Sequence, residues 1–265
     1  MYKNNIIEKK GYSIDDKICF RRTYDYLINN NYIDQAEKFK ERLETLTLRK
    51  VKNEEIISGA NYNINKNTIT YFDENDLFHE TLHVASLRGI GILDDDKKNI
   101  INIGINEGIT DLYNKKINGN VKINYPLEKM CAELIEEIYD YKLCDAYFRN
   151  NLKKLIETIN DENIFSLLDD LDDYNKIISE LYSGKYTFQK AKEIYKDISD
   201  IYESIICIIK MLNKKKNTFT EEEINRKITE KISQPEMKLI MEIINIGKET
   251  NAMSCSINEL KTKNK

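Results

Sequence analysis

The chain of 265 residues contains two histidines, His79 and His83, and both lie in LFHETLHVAS, residues 77 to 86. That pair constrains the fold more than any other feature. Residues four apart on an α-helix stand one above the other on the same face, so a helix here lets both imidazoles reach one metal ion. Glu80, which follows His79, then projects beside the ion, where its carboxylate can take a proton from water. Chance places two histidines and a glutamate in this arrangement roughly once in a thousand trials for a chain of this kind. The intervening Leu77, Phe78, Thr81, Leu82, Val84 and Ala85 are uncharged, as a buried helix requires.

Two imidazoles do not complete a catalytic zinc site, which takes three protein ligands and keeps the fourth position for water. With no third histidine in the chain, the missing ligand should be a carboxylate. Two places downstream offer one: Asp94, Asp95 or Asp96 in LDDD, and Glu107 in INEGITD. Glu107 is the better candidate. Ile105 to Ile117 reads as a helix stopped by Asn118-Gly119. Asp111, four residues on, shares the face of Glu107, and a carboxylate there can bond the far nitrogen of a ligating histidine and hold its tautomer. The LDDD run crowds like charges without helical framing and reads as a solvated loop.

HETLH followed by NEGITD resembles the gluzincins, the thermolysin-like zinc metallopeptidases, whose glutamate helix carries NExxxD. The resemblance covers roughly residues 65 to 118. It implies that His79, His83 and Glu107 bind one Zn2+ per chain, that Glu80 is the general base of peptide-bond hydrolysis, and that Asp111 supports a histidine. The HExxHxxGxxH arrangement of metzincins is excluded by the histidine count. Larger gluzincins add a histidine or tyrosine that stabilises the oxyanion. Here a tyrosine would have to serve, and Tyr113 and Tyr125 are nearest in sequence. Most tyrosines simply pack with the hydroxyl at the surface, so neither is counted in the site. The resemblance also implies an edge strand ahead of the zinc helix that holds substrate by antiparallel pairing. Thr68 to Phe72 is in the right place, although an ordinary packed strand fits it equally.

The rest of the chain reads as α+β and predominantly helical, with a small β-sheet or hairpin before a zincin-type active-site helix and an all-helical C-terminal part. A helix over residues 13 to 28 opens on a capping box, Ser13 with Asp16, and a second carries Ile33, Ala36, Phe39, Leu43 and Leu46 on one face. ISGANYNI and NTITYF, with Asn65-Lys66-Asn67 between them, read as short strands. Asp73 to Asp76 open the zinc helix, and Gly89 or Gly91 closes it. Beyond Gly119 come helices from Pro126, around 150–159, over 163–181 and from Thr187 to Leu212; then one capped by Thr220 with Glu223, and a last one after Pro235 that ends in a polar tail from Asn258. The Thr187–Leu212 stripe, widened by Ile194, Ile201 and Ile208, suits a bundle core better than a dimer zipper. The expected division is a catalytic region, residues 1–120, and a helical subdomain, residues 121–265.

Composition narrows the partners. A net charge of −4 without a strongly basic patch argues against nucleic acid. The cysteines Cys19, Cys131, Cys144, Cys207 and Cys255 form no CxxC pair and sit mostly among apolar residues, as buried thiols in a reducing compartment do. MYKNNIIEKK lacks the apolar run of a signal peptide, and no uncharged segment reaches the length of a membrane span. These features lead to the expectation of a cytoplasmic zinc metallopeptidase acting on a peptide or protein. The alternative is a peptide-binding or regulatory protein with a little-used metal site.

Overall fold

Ser13 opens the first helix as its sequence predicts: its hydroxyl accepts from the Asp16 amide at 3.1 Å, and the Asp16 carboxylate accepts from the Ser13 amide at 2.7 Å. The structure is a computed structural model that describes residues 11–51, 60–87, 89–90, 92–93, 100–184 and 186–263. In chain order it begins with α1 (Ile14–Asn29), α2 (Ile33–Thr45), β1 (Thr47–Lys50), β2 (Asn61–Asn63), β3 (Thr68–Tyr71) and α3 (Glu74–Ser86). Two short strands, β4 (Ile92–Leu93) and β5 (Ile100–Ile101), precede α4 (Ile103–Asn118) and α5 (Pro126–Tyr139). Then follow α6 (Cys144–Phe148), α7 (Leu152–Ile159), α8 (Asn163–Ser183), α9 (Phe188–Lys216) and α10 (Glu221–Ile232). A 3₁₀ turn, Pro235–Met237, leads into α11 (Lys238–Lys263), so the segment read as a polar tail from Asn258 continues the last helix. The fold is α+β and mostly helical, with a small sheet ahead of the histidine helix.

Two compact units interleave along the sequence. One comprises Met1–Ile92, Ile109–Asn124 and Lys142–Leu155; the other comprises Leu93–Gly108, Tyr125–Tyr141 and Ile156–Lys265. The division falls within α4, after Gly108.

In the first unit, α3 packs against α1, α2 and β3. Phe20, Leu27, Phe39, Leu43, Ile69, Leu77 and Leu82 are almost wholly buried there. The sheet order corrects the edge-strand expectation. β3 is the central strand, parallel to β1 on one side and antiparallel to β2 on the other. Both rows of its backbone groups therefore face neighbouring strands, and it offers no edge to an extended peptide. β1, in TLRK directly after α2, is a strand the sequence reading does not anticipate. Residues 57–59 of ISGANYNI lie outside the described residues, while Asn61–Asn63 of the same stretch form β2.

The second unit is helical from α5 onward. α9 packs against α8 and α11 and, less extensively, against α5 and α10. Its buried side chains Ile194, Ile198, Tyr202, Ile205, Ile209 and Leu212 follow the stripe the sequence predicts. Phe188 to Lys216 is helical, one turn beyond the expected end, and Asn217 closes it in the left-handed conformation at φ 58°. Thr220 and Glu223 form the expected capping box on α10. α5 supplies Glu133 and Glu137, which pair with Lys231 at 3.0 and 2.9 Å. α5 approaches α4 closely at Gly108, where a Cβ would collide with the Glu128 backbone, so only glycine fits.

Candidate metal centre

α3 is held at both ends. Asp73 caps its start, its carboxylate accepting from the Asp76 amide at 3.0 Å, and Glu74 and Asp76 put negative charge in the first turn. The helix ends earlier than its glycines suggest. Leu87 takes the left-handed conformation at φ 53°, and its N–H bonds to the His83 carbonyl, so the chain turns before Gly89. Arg42 of α2 donates to the Val84 and Ala85 carbonyls, placing a guanidinium on the negative end of the helix dipole. From α1, the Cys19 thiol donates to Thr81 Oγ1 at 3.2 Å, and burial pushes that thiol's pKa well up, which suits a packing role rather than a nucleophile. Leu77, Leu82, Val84 and Ala85 are buried in the core around these anchors.

This frame presents the two imidazoles to each other. His79 Nε2 and His83 Nε2 are 3.2 Å apart, with the ring planes at 70°. A tetrahedral zinc with N–Zn distances of about 2.0–2.1 Å needs ligand nitrogens roughly 3.3 Å apart, so the spacing fits one ion. The partner of His79 fits as well. His79 Nδ1 lies 2.9 Å from Asp111 Oδ1, and because an ionised carboxylate only accepts, a neutral His79 carries its proton on Nδ1 and presents the Nε2 lone pair. The 3.2 Å contact is then closed either by an N–H of His83 or by a cation that both lone pairs face.

Asp111 is fully buried, and its second oxygen accepts the Asn124 backbone N–H at 2.7 Å. Both of its oxygens are thus fixed, and the histidine with them. Glu107 lies one turn earlier on α4. One ligand atom from each of His79, His83 and Glu107 lies within 4.8 Å of the others. These three residues can hold a metal ion. Two nitrogens and one carboxylate oxygen are a borderline donor set that suits zinc and its first-row neighbours. His79 is buried, while His83 and Glu107 are half-buried. Glu80, beside His79 in the chain, is 5% exposed, an unusual burial for a glutamate.

The remaining sequence candidates fall as follows. Asp94, Asp95 and Asp96 lie outside the described residues, and among the described residues the potential metal cluster is His79, His83 and Glu107. Tyr113 is buried at 1% exposure, its ring packs against Tyr26 and Phe148, and its hydroxyl accepts the Cys144 N–H at 3.2 Å. That is a packing residue. Tyr125 flanks the start of α5 at intermediate exposure. What sequence reasoning misses is the Asn124 amide on Asp111: a backbone donor leaves no trace in residue type, and only the fold brings it there.

Among the described residues no helix is long and apolar enough to cross a membrane. Searches against protein-family models, curated proteins and solved structures find no match to the chain.

Proposed function

We propose that this chain is a zinc-dependent metallopeptidase of the gluzincin type, with His79, His83 and Glu107 as zinc ligands. The observation that carries the reading is the Nε2–Nε2 separation of 3.2 Å, with Asp111 setting the tautomer of His79 and the Glu107 carboxylate within reach. HExxH alone is a local pattern. Its convergence with a glutamate and an aspartate one turn apart on a second helix is what a His₂Glu hydrolytic site needs. A zinc ion there supplies a Lewis acid and lets water ionise near neutral pH, at about 7 rather than near 16.

The chain's own residues do the rest. Glu80 accepts a proton from the attacking water and returns it to the leaving nitrogen, the role its place after His79 suits. Asp111 keeps the proton on His79 Nδ1, and so keeps Nε2 available to the ion. The substrate class is a peptide or protein. Cys19, Cys131, Cys144 and Cys207 are free thiols, which fits a cytoplasmic, reducing setting.

Glu80→Gln tests the reading. The amide cannot take the proton, so the variant should bind zinc as the wild type does and cleave a mixed peptide library about 100-fold more slowly or worse. Undiminished cleavage would remove Glu80 from the mechanism. Zinc binding by the wild type with no cleavage at all would favour a peptide-binding or regulatory protein instead.

A further inference from the structure

The helix that carries Glu107 begins on an acid from a distant part of the chain. Asp172, in the middle of α8, accepts the Asn102 amide at 2.6 Å on one carboxylate oxygen and the Gly104 amide at 2.8 Å on the other. The Ile103 amide adds to the same carboxylate. These are amides at the entry to α4, and such groups have no partner within their own helix. The next residue back reinforces the contact: a Cβ on Gly104 would fall 2.5 Å from the Leu171 carbonyl oxygen, so the α4 backbone lies directly on α8. Asn102 turns the chain into the helix with φ 60°, a conformation asparagine tolerates better than most residues.

We infer that Asp172 is a positioning residue for the metal centre, which sets where α4 starts and thereby where Glu107, one turn later, stands. The inference rests on the metal reading above. A carboxylate that grips both sides of one helix entry fixes the rotation and axial position of that helix, and a ligand on the first turns inherits both. The other end of the same helix segment is set by Asp111 on His79, so α4 is fixed on either side of Glu107.

Two measurements decide it. The first is zinc affinity by chelator competition, with thermal stability of the zinc-free protein measured beside it. Asp172→Ala should weaken zinc about tenfold, the low end for residues that orient a ligand from outside the coordination sphere. Asp172→Asn keeps one acceptor oxygen and should recover most of the loss. Thr220→Ala removes the cap of α10 and serves as the control: it should lower stability and leave zinc affinity unchanged. The second measurement needs no variant. Because coupling is reciprocal, zinc added to the wild type should slow hydrogen exchange at the Asn102, Ile103 and Gly104 amides more than at the first amides of α10. Wild-type zinc affinity in a folded Asp172→Ala protein would overturn the inference. So would an equal loss in Thr220→Ala, or equal protection of the two helix starts. A wild-type protein that binds no zinc would instead remove the metal reading, and this one with it.

Discussion

α4 and α9 are both buried helices, and they are buried by different physics. α9 is buried mainly through Ile194, Ile198, Ile205, Ile209 and Leu212, whose contacts are non-directional and would be served by any apolar side chain of similar size. Of its polar side chains Ser199 and Asn213 are buried too, Asn213 bonding the Phe219 backbone just past the helix. α4 buries Asn106, Thr110, Asp111 and Asn114 as thoroughly as its isoleucines. Each such group needs a partner of matching geometry: Asp111 has His79 and the Asn124 amide, and Thr110 lies 2.8 Å from the Tyr147 hydroxyl. A helix buried by area holds the fold. A helix buried by pairing holds something in place. On the function proposed above, α4 is shaped around the candidate metal centre and α9 mainly around packing, and the two should fail differently.

The largest effect separating them is on stability. Ile205→Ala, at a fully buried position of α9, should cost about 2–4 kcal/mol in denaturant unfolding, because it removes methylenes and leaves a cavity. Its zinc affinity should stay within about twofold once the protein is folded, since sites that share no partners behave independently. A matching loss of zinc would break the comparison.

Asp111→Ala should do the reverse. Losing the partner of His79 should weaken zinc about 10- to 100-fold, or about 1.4–2.8 kcal/mol, in the same competition assay. Asp111→Asn sharpens the point. An asparagine can still accept from one donor, but it must share that oxygen between His79 and Asn124, so an intermediate affinity is expected. If Asp111→Ala loses only stability, the aspartate is packing and α4 belongs with α9.

The same distinction explains what was legible beforehand. α9 announces itself by spacing, and α1 and α10 by capping boxes, because those signals are local and repeated. The histidine helix and its glutamate are legible by motif, since metal chemistry tolerates few residue types at fixed intervals. Long-range pairing is another matter. Nothing in TLRK beside α2 says that it will lie parallel to β3, and so nothing says that Thr68–Tyr71 will be the centre of the sheet. Leu87 in a left-handed turn is a tertiary outcome that propensity argues against, with Gly89 two residues away. Asp172 belongs to none of the motifs or capping signals read from the sequence, and its grip on α4 spans 70 residues to Asn102.

The central claim is that His79, His83 and Glu107 together hold one zinc ion. The most direct test is the zinc content of folded protein after resupply with zinc and removal of the free metal, for the wild type and for Glu107→Ala. About one zinc per wild-type chain, with affinity weakened about a hundredfold or more in Glu107→Ala, is the predicted result, since two imidazoles alone would then hold the ion. No zinc in the folded wild type, or undiminished binding in Glu107→Ala, would contradict it.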